Sequence, residues 1–138
     1  MYPFTPKSTS KVHPGQFWAI PMEDGGYACG VVLAIRTKDD GTRDSRLFLG
    51  GLLDWFGSEI PRPEDILNRP VIERGFAHIK AITENGKEVL GRLDPWWDWP
   101  AEVSHRDGIP TWGYAVISIL ARKHFKRRSE HVVGGNGE

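Results

Sequence analysis

Gln16-Phe17-Trp18-Ala19-Ile20-Pro21, Glu23-Asp24-Gly25-Gly26 and Tyr27-Ala28-Cys29-Gly30-Val31-Val32-Leu33-Ala34-Ile35 read in order as strand, turn and strand. The first run is short, aromatic and β-branched, and Pro21 closes it as a proline closes a strand near a sheet edge. The Asp-Gly-Gly sequence supplies residues that tolerate positive φ, which a tight hairpin turn demands. In the second run Tyr27, Val31, Leu33 and Ile35 are large, while Ala28, Gly30 and Ala34 are small. A strand points successive side chains to opposite faces, so this pattern predicts bulk on one face and close packing on the other. Gly30 and the β-branched residues argue against a helix here.

Outward from this hairpin the chain keeps its β character. Lys38-Asp39-Asp40-Gly41-Thr42 is a polar turn, and Arg46 to Phe56 is a strongly apolar third strand. The Gly50-Gly51 pair inside it predicts a bulge or sharp bend. Ser58 to Pro70 contains three prolines, with a single helical turn expected at Glu64-Asp65-Ile66-Leu67. Gly75 to Thr83 alternates like a strand, and Asn85-Gly86 is the strongest hairpin signal in the chain, with Glu88 to Leu93 as the return strand. Trp112 to Phe125 fits either period: Val116, Ile117 and Ile119 favour a strand, while Tyr114, Ile117, Leu120 and Ala121 share a helical face. The β-branched residues tip that reading towards strand.

The expected fold is therefore mainly β: a strongly bent antiparallel sheet or partly open SH3-like barrel with little helix. Its expected core is Phe17, Ala19, Val31, Leu33, Leu49, Leu53, Ile79 and Leu90. Residues 1–14 read as a flexible arm, 15–128 as a single β-rich domain, and 129–138 as a disordered tail.

With 138 residues, 39% of them apolar, the chain is long enough for one apolar core. Its 18 basic and 18 acidic side chains cancel, which removes the global cationic pull of non-specific nucleic-acid binders and makes nucleic acid an unfavoured partner. Cys29 is the single cysteine, so no intrachain disulfide can form, in keeping with a reducing compartment. No signal-like or membrane-spanning apolar run occurs, and the expected location is the cytoplasm.

The search for chemistry is mostly negative. Ser104-His105-Arg106-Asp107 looks like the opening of a kinase catalytic loop, yet Trp112 stands where that loop needs a metal-binding Asn. The five histidines are scattered without metal-ligand spacing, and no phosphate loop is present, so neither metal nor organic cofactor is expected and no catalytic residue is assigned. Cys29 sits among apolar neighbours and reads as a buried, inert thiol. Arg122 to Arg128 is a basic run, read as a solvated end. The segment Asp94-Pro95-Trp96-Trp97-Asp98-Trp99-Pro100 holds three of the six tryptophans. Tryptophan buries a large area with few rotors, which suits a binding anchor. The same rings could equally plug one end of a barrel.

Gly15 to Met22 followed by Asp24 to Leu33 resembles the opening of the immunity protein 26 family, which begins with a Gly-x-aromatic-x-Ile-Pro-apolar strand, an Asp-Gly hairpin, and a strand of Tyr, small residues and Gly. A looser echo lies at Arg69-Pro70-Val71-Ile72 and at Asn85-Gly86-Lys87, with Glu88 where the family tends to place an aromatic. The resemblance implies a bacterial immunity protein that binds and neutralises a cognate toxin and performs no catalysis. On that reading Trp96, Trp97 and Trp99 are candidate anchors, with Asp54 and Asp98 as polar specificity groups. Two other classes stay open from the residues alone. One is a β-barrel that binds nucleic acid or a small ligand, and the other an enzyme whose carboxylates converge only in three dimensions.

Overall fold

The computed structural model describes residues 1–125, and the expected tail at 129–138 lies outside them. The fold is mainly β. Strands β1 (Gln16–Pro21), β2 (Tyr27–Thr37), β3 (Arg43–Gly57), β4 (Val71–His78), β5 (Gly91–Arg92) and β6 (Glu102–Ser104) are joined by helical turns α1 (Pro63–Ile66) and α2 (Lys80–Thr83). A third helix, α3, covers 116–125. The strand order is β4-β3-β2-β1-β5, antiparallel throughout, an open path that does not close into a barrel. Beyond the end of β1, β6 joins β2 in parallel along Ile35–Thr37.

The β1–β2 hairpin forms where the Asp-Gly-Gly sequence placed it. Met22 N–H donates to Gly26 O at 2.8 Å, and Gly25 takes the left-handed φ of 93° that the turn requires. The register sets Trp18 opposite Gly30. A side chain at Gly30 would place its Cβ 2.3 Å from the Trp18 ring, so the glycine is what lets the indole lie flat across the neighbouring strand. Trp18 is fully buried and meets Phe48 of β3 edge-on at 5.8 Å.

Both faces of the sheet are covered. One carries Trp18, Ile20, Ala28, Val32, Phe48 and Leu52 under α2 and α3; the other carries Phe17, Val31, Leu33, Leu49, Leu53 and Phe76. Strict alternation in β2 fails at one point. Val32 pairs with Gly50 and Ala34 with Leu49, leaving Leu33 as an extra residue. Leu33 and Ala34 then share a face, and Ile35 crosses to the other, as a bulge requires. Gly51 makes room for the displaced side chain, since a Cβ there would lie 2.9 Å from Leu33 Cδ1. Of the expected core residues all are buried except Leu90, which is half-buried.

Three expectations need correction. Gly75 to Thr83 is not one strand: it ends at His78 and turns into α2, because Ile79 and Ile82, three residues apart, both go to the same apolar cluster, and only helical spacing puts them on one side. Asn85-Gly86 therefore closes α2 and makes no hairpin. Lys87 N–H returns to Ile82 O, and Gly86 lets its backbone approach Ala19, where a Cβ would sit 2.5 Å from the carbonyl oxygen. The expected return strand shrinks to β5, which pairs with β1. Second, 116–125 is helical, with Ile117, Ala121 and Phe125 buried at four-residue spacing and Ile119 exposed. Third, residues 1–14 are held against the sheet. Phe4 bridges Val89, Thr9 and Val12 are fully buried, and the Arg43 and Arg46 guanidinium groups donate to carbonyls of Thr9, Val12 and Lys7.

Leu33→Ala is expected to cost about 2–5 kcal/mol in chemical denaturation. Gly30→Ala should cost about 1–3 kcal/mol through overpacking against Trp18. A melt of either variant that coincides with the parent would mean that these contacts do not constrain the fold.

Candidate binding surface

The tryptophan-rich loop crosses the sheet face that carries Leu33, Leu49, Leu53 and Phe76, and its rings pack on that cluster. Each indole has a specific tether. Trp97 Nε1–H donates to the carbonyl of Leu33 at 3.0 Å, so the extra residue in the β2–β3 ladder finds its hydrogen-bond partner in the loop. Trp96 Nε1–H donates to Arg69 O at 2.8 Å, and the two rings meet at a steep 65° with centroids 5.0 Å apart. The Arg74 guanidinium, projecting from β4, lies 5.0 Å from the Trp99 ring centre. All three rings are half-buried, so each both covers the core and keeps an edge in solvent; Asp98 between them is exposed.

Arg69 joins this cluster to α1. Its Nε–H donates to Asp65 O at 3.2 Å, while the Asp65 carboxylate accepts from Arg62 N–H at 3.0 Å and from Arg62 Nε at 3.2 Å. Those hydrogen bonds from Arg62 hold the Asp65 carboxyl below its ordinary pKa, and the same contact raises Arg62. The α1 turn is fixed at its base by buried Ile66 and released by Asn68 in the left-handed region at φ 64°. Beside it a groove of about 340 Å³ runs between Trp55, Glu59, Ile60, Arg62 and Asp65. Ile60 and Leu67 are 49% and 51% exposed, far more than apolar side chains with a place in the core. Trp55 packs on the same cluster as the loop tryptophans.

Trp96, Trp97, Asp98 and Trp99 thus come together, but Asp54 does not join them. Leu53 and Trp55 on either side of it belong to the tryptophan face, so alternation along β3 points Asp54 to the opposite face. There the neighbours are of another kind: Phe56 stacks on Phe125 of α3, and His124 Nε2 lies 3.0 Å from Glu73 Oε2. The sequence reading also missed Trp55, Arg62, Arg69 and Arg74. Arginine is enriched with tryptophan at binding hot spots, yet nothing local in the sequence distinguishes these arginines from surface ones.

No family model, curated protein or solved structure matches the chain.

Chemically, the surface offers flat aromatic edges, fixed guanidinium groups and exposed carboxylates on a rigid sheet. Among the described residues no three His, Cys, Asp or Glu side chains converge as a metal site would require, and no helix is long and apolar enough to cross a membrane. Cys29 is fully buried and its surroundings push the thiol pKa up, so it stays protonated. Trp97→Phe keeps a ring in place but removes the donor to Leu33 O. It should cost about 1–2 kcal/mol, measured by urea unfolding. A neutral result would mean that water satisfies that carbonyl equally well.

Proposed function

We propose that the chain is a protein-binding module, and specifically an immunity protein that binds a cognate bacterial toxin in the cytoplasm and blocks it without catalysis of its own. The observation that carries the binding role is the set of tryptophan and arginine pairings: Trp55 and Arg62 along the groove, Trp96 bonded to Arg69, and Arg74 over Trp99. Fully assembled interfaces draw most of their energy from a few such rings and guanidinium groups, surrounded by near-neutral contacts. The rings here are immobilised in advance by hydrogen bonds to Arg69 and Leu33 carbonyls. Little side-chain entropy is then lost on association, which favours tight binding. Exposed Asp98 and the Arg62–Asp65 pair supply polar groups at its border, where charge fixes partner choice and encounter rate more than affinity. The toxin as the partner rests on the resemblance of Gly15 to Leu33 to the immunity protein 26 family.

Co-expression with a toxin encoded beside this gene tests both parts. The parent protein should protect cells and form a one-to-one complex with the toxin. Trp96→Ala, if it stays folded by circular dichroism, should weaken the complex by at least ~2 kcal/mol, about thirtyfold in Kd. Failure to protect, together with no binding at micromolar concentration, would remove the immunity reading. Saturable binding to single-stranded nucleic acid that collapses with salt would instead favour the rings as a stacking platform.

A further inference from the structure

The N-terminal segment encloses a second concavity, on residues that the tryptophan surface does not use. Its volume is about 460 Å³, and it is lined by Met1, Phe4, Thr5, Pro6, Lys7, Ser8, Ser10 and Lys11. That size falls within the range of pockets that take small organic ligands. Two lysines and three hydroxyl-bearing residues are among its lining, together with Phe4, and no lining residue is acidic.

The charge beneath the segment has the same sign. Arg43 donates to the carbonyls of Thr9 and Val12, and Arg46 donates to Lys7 O at 3.3 Å. The carboxylate between these two arginines in the sequence, Asp44, is already occupied: one oxygen accepts from the Arg46 and Leu47 N–H groups, and the other pairs with Arg36. Lys7 and Lys11 thus belong to a segment whose backbone carbonyls are held by two arginines, in a chain whose formal charge is zero. Two of the lining hydroxyls are also held relative to each other: Ser8 Oγ lies 3.1 Å from Ser10 Oγ and accepts from the Ser10 N–H at 3.2 Å. The segment is held before any ligand arrives, by the Phe4–Val89 bridge and by Thr9 Oγ1 donating to Asp44 O.

We propose that this concavity is a binding site for a phosphate monoester of a small molecule. A dianionic phosphate presents several acceptor oxygens and no donor, which matches lysine ammonium and hydroxyl donors together. Phe4 receives the organic part of the ester. A carboxylate has fewer acceptor oxygens and a lower charge, and an extended acidic peptide would not fit a concavity built from one short segment.

The test is a titration of the full chain with phenyl phosphate, inorganic phosphate and phenol, followed by the backbone amide resonances. Saturable shifts confined to residues 4–11 are expected with both phosphates, phenyl phosphate binding the more tightly, and no such shifts with phenol. The Lys7→Ala/Lys11→Ala double variant, with both lysines exposed in the parent, should melt like the parent and bind phenyl phosphate at least ~10-fold more weakly. Ser10→Ala provides a smaller loss in the same direction. Trp96→Ala should leave this titration unchanged, which separates the site from the tryptophan surface. Absence of saturable shifts at ~10 mM phenyl phosphate, equal shifts with phenol, or unchanged affinity in the double lysine variant would each overturn the proposal.

Discussion

The Trp18 indole lying across Gly30 is the contact on which the rest of the sheet depends. One ring touches its neighbour strand at a position with no side chain and meets Phe48 of the next strand edge-on, so it ties β1, β2 and β3 together. Its Nε1–H is buried with no hydrogen-bond partner among the described residues. Such a group costs about 1–3 kcal/mol. Removing some ~200 Å² of ring from water at about 25 cal/mol per Å² contributes on the order of 5 kcal/mol, so burial wins. A polar partner for that N–H would have to enter a closely packed part of the sheet, where Gly30 already gives up its side chain to admit the ring.

Because β2 is buried on both faces, its irregularity at Leu33 reaches further than a local kink. The extra residue sends Leu33 and Ala34 to one cluster and Ile35 to the other. It also leaves a carbonyl that the Trp97 indole satisfies. The loop that forms the candidate binding surface is thereby pinned to the middle strand of the sheet and not only to its rim. Trp112 plays a comparable role on the opposite face, lying over Gly75 of β4 so closely that a Cβ there would come within 2.4 Å of its ring. Large ring over glycine is the recurring packing device of this chain.

Charge is segregated by use. Arg36 pairs with Asp44 while its guanidinium lies 5.1 Å from the Phe76 ring centre, and Arg43 and Arg46 hold the N-terminal segment. Burial pushes the Asp44 carboxyl upward, but the Arg46 and Leu47 N–H bonds and the Arg36 guanidinium outweigh it and hold the group below its ordinary range. A depressed folded pKa gives stability that is present above the unfolded value and lost as pH falls through the folded one. The Asp44–Arg36 pair, and the Asp44 cap on the Arg46 and Leu47 N–H groups, are therefore weakened only in acid, below the usual carboxylate range.

The strand-turn-strand at 16–35, the polar turn at 38–42, the helical turn near 64–67 and seven of eight core residues were legible in the sequence, because alternation and turn chemistry act between near neighbours. So was the closeness of Trp96, Trp97 and Trp99, which the chain itself guarantees. Tertiary structure decided the rest. Asn85-Gly86 carries the residues of a hairpin, but whether a turn reverses a strand or ends a helix depends on where Ile79 and Ile82 can be buried, and their partners lie far away in sequence. The segment 112–125 satisfies both periods, and only the apolar cluster waiting beside Asn85 and Phe56 selects the helix. Residues 1–14 look too polar to pack, yet their carbonyls are bound by Arg43 and Arg46, some thirty residues on. Asp54 and Trp55 are adjacent in the chain and fall on opposite faces, whereas Arg69, Arg74 and the loop tryptophans are distant and share one. A sequence fixes the direction of each side chain relative to its neighbours; which face meets which partner is settled only when the strands have paired, because the free energy of burial belongs to pairs of residues that the chain brings together last.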